Sequence, residues 1–182
     1  MIVLGIEGYE PEWHHDAEAL AAVHRQRFTR IIGRELLAGW LMWDISARGW
    51  FADGPVILGF AGPNGLGGAN VEITHRKFDE CAITWNQVDM TAPIDWFGTG
   101  IQLDWRADPH GALRRARGQV LREVNIIERI TVAEWLPRVL HAVEFRFDRA
   151  RLAVYNAMDE NGLTDVPDVD LPVHSWRRVR VA

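Results

Sequence analysis

The sequence predicts an α+β protein dominated by antiparallel β structure, with two repeated small sheet units and an N-terminal amphipathic helix. Three observations carry this. One segment holds an apolar face at helical spacing, the chain beyond Gly33 changes to short β-branched and aromatic runs broken by Gly, Pro, Asn and Asp, and those runs recur in the same order in the second half.

The helix is expected from Asp16 to Ile32. Ala17, Leu20, Ala21, His24, Phe28 and Ile31 fall on one face, with Arg25, Arg27 and Arg30 largely off it, and Gly33 supplies the stop. Strands follow at Leu36 to Ile45, Val56 to Phe60 and Asn70 to Thr74. The glycine-rich stretch between Phe60 and Asn70 joins two strands and lacks the Lys-Ser/Thr of a phosphate loop, so it reads as a hairpin connection.

The recurrence is carried by ordered matches. Gly33-Arg34-Glu35-Leu36 parallels Gly118-Gln119-Val120-Leu121, Val56 to Phe60 parallels Val143 to Phe147, and Val71 to His75 parallels Leu152 to Asn156. Asp79-Glu80-Cys81-Ala82-Ile83-Thr84 parallels Asp159-Glu160-Asn161-Gly162-Leu163-Thr164. Between the copies, Pro109 to Arg117 is expected to form a short helix, Thr131 to Glu134 resembles a capping box, and Trp176 to Val181 alternates as a charged edge strand. The division that follows is an arm and helix over 1–32, a first β unit over 33–106 and a second over 107–182, packed together as one compact domain.

Composition narrows the function classes. The single cysteine, Cys81, excludes an internal disulfide and a paired-cysteine zinc site, and together with an N-terminus unlike a signal peptide it places the chain in the cytoplasm. No stretch approaches the ~20 apolar residues of a membrane helix. Residues 1–106 carry 8 basic and 14 acidic side chains, whereas 107–182 carry 12 and 11. An acidic first half argues against nucleic acid and for a basic protein partner. Arg114, Arg115 and Arg117, with Arg177, Arg178 and Arg180, read as solvated faces.

Nine tryptophans are more than a core of this size readily absorbs. Exposed aromatic rings anchor protein interfaces, so Tyr9, Trp13, Trp43, Trp50 and Trp85 are the expected contact residues. His14, His15, Asp16 and His24 lack metal-ligand spacing, and no metal or cofactor is expected. Nor does any nucleophile motif appear. A second possibility is a small-ligand or hydrolase-like pocket at the seam of the two units, drawing on His75, Asp79, Glu80 and Asn156.

The short acidic chain, with its Gly-x-x-Leu turns, alternating strands and Trp85-Asn86 and Tyr155-Asn156 strand ends, is similar to small actinobacterial proteins, some of them immunity-like. That similarity transfers no site. The expected function is therefore a non-catalytic interaction module, in an immunity or regulatory role.

Overall fold

A computed structural model describes residues 5–63, 68–130, 139–165 and 176–182. The fold is α+β with mostly antiparallel strands. Helix α1 spans Ala17–Ile31, and Asp16 caps it by accepting from the Ala19 amide at 2.7 Å. The six residues expected on its apolar face are all buried. Strands β1 (Leu36–Asp44), β2 (Gly49–Trp50), β3 (Val56–Phe60), β4 (Ala69–Arg76), β5 (Glu80–Trp85) and β6 (Leu103–Ala107) form one sheet, ordered β2-β1-β3-β4-β5 with β6 also on β1. After the short helix α2 (Gly111–Ala116), β7 (Leu121–Arg129), β8 (Val139–Phe147), β9 (Arg151–Asn156), β10 (Asn161–Thr164) and β11 (Trp176–Arg180) form the second, ordered β10-β9-β8-β7-β11. The capping-box segment Thr131–Glu134 and Trp135 lie outside the described residues.

The two meanders β1-β3-β4-β5 and β7-β8-β9-β10 run in the same order, and they meet where the matched glycines lie. Gly33 has φ 80° and Gly118 φ 77°, conformations that favour glycine as a helix stop. The Gly33 amide donates to the Leu121 carbonyl at 2.8 Å and the Gly118 amide to the Leu36 carbonyl at 2.8 Å. Leu36 and Leu121 donate in turn to Gln119 and Arg34, at 3.0 and 2.8 Å. Each sheet therefore begins by bonding to the start of the other, and each is preceded by a helix.

α1 contacts both sheets: Glu18 on it pairs with Arg177 of β11 at 2.7 Å, and Phe28 packs on Phe145 of β8 in the second sheet and on Trp85 of β5 in the first. The inner faces of both sheets and both helices share one core. At its centre Phe60 and Phe147 stack with ring centroids 6.5 Å apart, and Phe145 lies 6.3 Å from Phe60 and 6.1 Å from Phe28. Truncating Phe145 to Ala is expected to cost about 3–5 kcal/mol in denaturant unfolding. A loss below ~1 kcal/mol would mean that the sheets do not close over this ring.

The outer face of the first sheet is also covered. Met42 and Ile57 on that face pack with Ile6, Tyr9 and Val88, and with Ile94, Trp96 and Trp105, so residues 5–13 and 86–107 form a layer over it. None of the helices among the described residues is long and apolar enough to cross a membrane.

Candidate functional site

Of the expected contact residues, Tyr9 and Trp13 lie in the covering layer, whereas Trp43, Trp50 and Trp85 stand on strands β1, β2 and β5. Tyr9 is fully buried, a correction to its expected exposure. The cause is the apolar outer face beneath it, where its ring fills the space over Ile57 and Met42. Burial pushes its phenol far above the ordinary value, beside Thr84 and Glu72. Glu72 is itself buried, and burial raises its pKa against the hydrogen bonds it accepts from the Thr84 hydroxyl at 2.8 Å and the Gln87 amide at 3.1 Å.

The four expected tryptophans are half-buried, each against a partner of its own. The Arg76 guanidinium lies 4.0 Å over the Trp13 ring and that of Arg106 4.7 Å over Trp43. Trp50 packs on the main core, 6.3 Å from the His110 ring. Trp85 donates its indole N–H to His24 Nδ1 at 3.1 Å and meets Phe28 edge-on at 4.9 Å.

The exposed aromatic in this layer is one that sequence reasoning missed. Phe97 is 64% exposed and has φ 52°, in a turn where its amide donates to the Asp95 carbonyl at 2.7 Å and the Asp95 carboxylate caps the Gly98 amide at 2.9 Å. A bulky residue in the left-handed region is strained by about 1–3 kcal/mol. The Trp96 ring supports it at 5.2 Å and rests on Phe51 at 4.7 Å.

Charge sets this layer apart. Glu7, Glu10, Glu12 and Asp16 in one segment, and Asp89, Asp95 and Asp104 in the other, are all exposed, and residues 5–16 and 86–105 contain no lysine or arginine. The segments touch, since the Asp95 amide donates to the Gly5 carbonyl at 3.2 Å and the Glu10 amide to the Gln87 side chain at 3.0 Å. The two segments are acidic in themselves, and cations approach only from neighbouring elements, Arg76 on Trp13 and Arg27 beside Glu10 and Glu12.

At the seam of the sheets the structure does bring His75, Asp79, Glu80 and Asn156 into one region, but in separate roles. His75 is buried, and both its main-chain amide and its Nδ1–H donate to Asn161 Oδ1, at 2.9 and 3.0 Å. That tautomer follows from Asn161 Nδ2, which donates to the Ala52 and Gly54 carbonyls at 3.1 and 2.9 Å, leaving the amide oxygen to accept. Burial pulls the His75 pKa down to about 4, and its Nε2 is buried without a partner.

Asp79 accepts from His15 Nδ1 at 3.1 Å, and Glu80 pairs with Lys77 Nζ at 2.7 Å and with Arg76. Burial works against ionisation of Glu80, yet these hydrogen bonds and charges hold its pKa below the usual carboxylate range. Asn156 donates to the Lys77 carbonyl at 2.9 Å, and Asp159 accepts from the Lys77 amide. Asn156 borders a groove of about 330 Å³ shared with Phe78, His141, Met158 and Trp176.

The arginines of the second half are largely engaged. Arg114 donates to the Asp108 and Pro109 carbonyls at 3.0 and 2.8 Å, and Arg117 pairs with Asp108 at 3.0 Å. Arg177 pairs with Glu128 at 2.8 Å and Arg178 with Glu144 at 2.9 Å. Cys81 is buried, which pushes its thiol up and away from reactivity. Compared with known proteins, the chain matches no family model, no curated protein and no solved structure at a significant level.

Proposed function

We propose that this chain is a non-catalytic interaction module that receives a basic protein partner on the layer covering its first sheet, in an immunity or regulatory role and in the cytoplasm. The observation that carries the reading is Phe97: a bulky ring held outward at positive φ, in a layer whose two segments carry seven exposed carboxylates and no lysine or arginine of their own. Local strain of this kind persists where the surrounding structure and a task both hold it. Acidic side chains around an aromatic anchor steer a basic partner and fix its register.

The test sets stability against binding. Phe97→Gly relieves the backbone strain, so the isolated chain should unfold at the same or a higher denaturant concentration, by up to about 1 kcal/mol. Capture from native lysate, read by quantitative mass spectrometry, should recover a stoichiometric basic protein with the wild type. That protein should be released by salt and lost with Phe97→Gly and with Glu7→Lys/Asp104→Lys. Recovery of no partner, or one that both variants retain, would sink the proposal.

A small-ligand or hydrolase-like role at the seam is the second reading. It is favoured by the partnerless Nε2 of His75. A ligand that raises the melting temperature of wild type but not of Asn156→Ala would support it, and equal shifts in both would remove it.

A further inference from the structure

We propose that the cleft between the N-terminal arm and β5 is a socket for one arginine side chain of the basic partner. The inference rests on the reading of the covering layer given above and names what it would grip.

The cleft arises from how the arm leaves the sheet edge. His14 and Cys81 exchange both main-chain hydrogen bonds at 3.0 Å, so the arm begins as an antiparallel neighbour of β5. Main-chain groups two residues apart on a strand face the same way, which turns the amide and carbonyl of Ile83 toward the arm. The arm does not continue the pairing. Glu12, which stands opposite Ile83 in this register, makes no main-chain bond to it, and the Glu10 amide goes to the Gln87 side chain. A hollow of about 260 Å³ opens between them, bordered by Glu10, Glu12, His24, Arg27, Ile83 and Gln87.

Its chemistry is that of an acceptor set. Glu10 and Glu12 are exposed carboxylates without an ion-pair partner among the described residues, and Ile83, whose main-chain groups the strand alternation turns toward the arm, lines the same hollow. His24 adds no competing charge. Its Nδ1 accepts from Trp85, and burial lowers its pKa to about 4. A guanidinium carries five donors and no acceptor, in a planar fork suited to paired carboxylates. The hollow lies below the ~300–1,000 Å³ of sites that take a drug-sized ligand, so one side chain suits it better than a cofactor. Among the described residues, Arg27 is the cation at its rim. It also borders a second hollow of about 260 Å³, lined by Arg30, Trp85 and Asn86.

The test is an NMR titration with Nα-acetyl-arginine amide, using Nα-acetyl-citrulline amide as the neutral isostere and Nα-acetyl-lysine amide as the point charge. The Trp85 indole N–H and the Gln87 amide should shift saturably with the arginine probe, less with lysine and not with citrulline. Glu10→Gln/Glu12→Gln should weaken binding about tenfold, and Arg27→Ala should tighten it about threefold. Both carboxylates are exposed, so these variants should keep the wild-type fold, checked by circular dichroism. Citrulline or lysine equal to arginine, an unaffected double variant, or weaker binding in Arg27→Ala would each overturn the socket. Failure here with a basic partner still captured through Phe97 removes the socket alone. Probe binding with no basic partner removes the interaction reading and leaves a guanidinium site.

Discussion

Asn161→Ala is expected to destabilise the chain by about 3–5 kcal/mol, more than any other single polar substitution at the seam. Its side chain is buried and ties both sheets together: the oxygen takes two N–H groups of His75 in β4, and the amide nitrogen donates to the Ala52 and Gly54 carbonyls ahead of β3. Alanine would leave those donors and acceptors buried without partners, and each orphan costs about 1–3 kcal/mol. Asn161→Asp distinguishes this account from simple packing. The carboxylate still accepts from His75 but has no hydrogen for the two carbonyls, so it too should destabilise strongly. Asn156→Ala is the contrast, because the bonds it gives up, to the Lys77 carbonyl and from the Met158 and Asp159 amides, are exposed and water can replace them, so it should cost less, about 1–2 kcal/mol. Urea midpoints with unchanged m-values would read all three, and an Asn161→Ala loss no larger than that of Asn156→Ala would refute the role assigned to the seam.

Why Asn161 escaped the sequence reading is instructive beside what did not. Its alignment with Cys81 was legible, because the Asp-Glu-x-x-aliphatic-Thr pattern fixes both residues at the start of an edge strand. Its task was not, since the carbonyls it serves lie 107 and 109 residues earlier and carry no side-chain signal. The helical face from Ala17 to Ile31 and the matched glycines were legible for the opposite reason: 3.6-residue periodicity and a positive φ are local properties. β6 was missed because a five-residue strand half-buried against β1 has no strong alternation.

Tyr9 shows a signal that was present and not used. Val56-Ile57-Leu58 is apolar on both faces of its strand, whereas Val143-Glu144-Phe145-Arg146-Phe147 alternates. A strand apolar on both faces requires a cover on each side. That difference foretells a layer over the first sheet, and the nearest spare aromatics, Tyr9 and Trp96, are those that supply it. Phe97 had no such signal. Its exposure follows from a turn geometry set by Asp95 and Gly98, and alternation patterns do not extend into turns.

Acid should weaken the fold well before its carboxylates are protonated, and the source is a pair of histidines kept neutral by burial. The pKa values of His75 and His24 are lowered from 6.5 to about 4, chiefly by desolvation, with nearby charge from His141 on the first and from His14 and Arg27 on the second. Between pH 6.5 and about 4 the unfolded chain therefore binds more protons than the folded one. Stability must fall as pH falls through that window and be fully present above it. For His75, which is wholly enclosed, the loss amounts to roughly 3 kcal/mol; His24 borders the arm cleft and should contribute less. Glu72 and Asp53 act in the opposite sense. Burial raises their folded pKa values, so their ionisation costs stability as pH rises past the unfolded carboxylate range, which blunts the acid end of the curve. Denaturant midpoints across the window should decline steadily toward acid, and His24→Gln, which still accepts from the Trp85 indole, should flatten part of that decline. Ring-proton shifts give the direct reading: a His75 resonance that titrates near 6.5 in the native protein would contradict the buried, Asn161-bonded imidazole on which the seam depends.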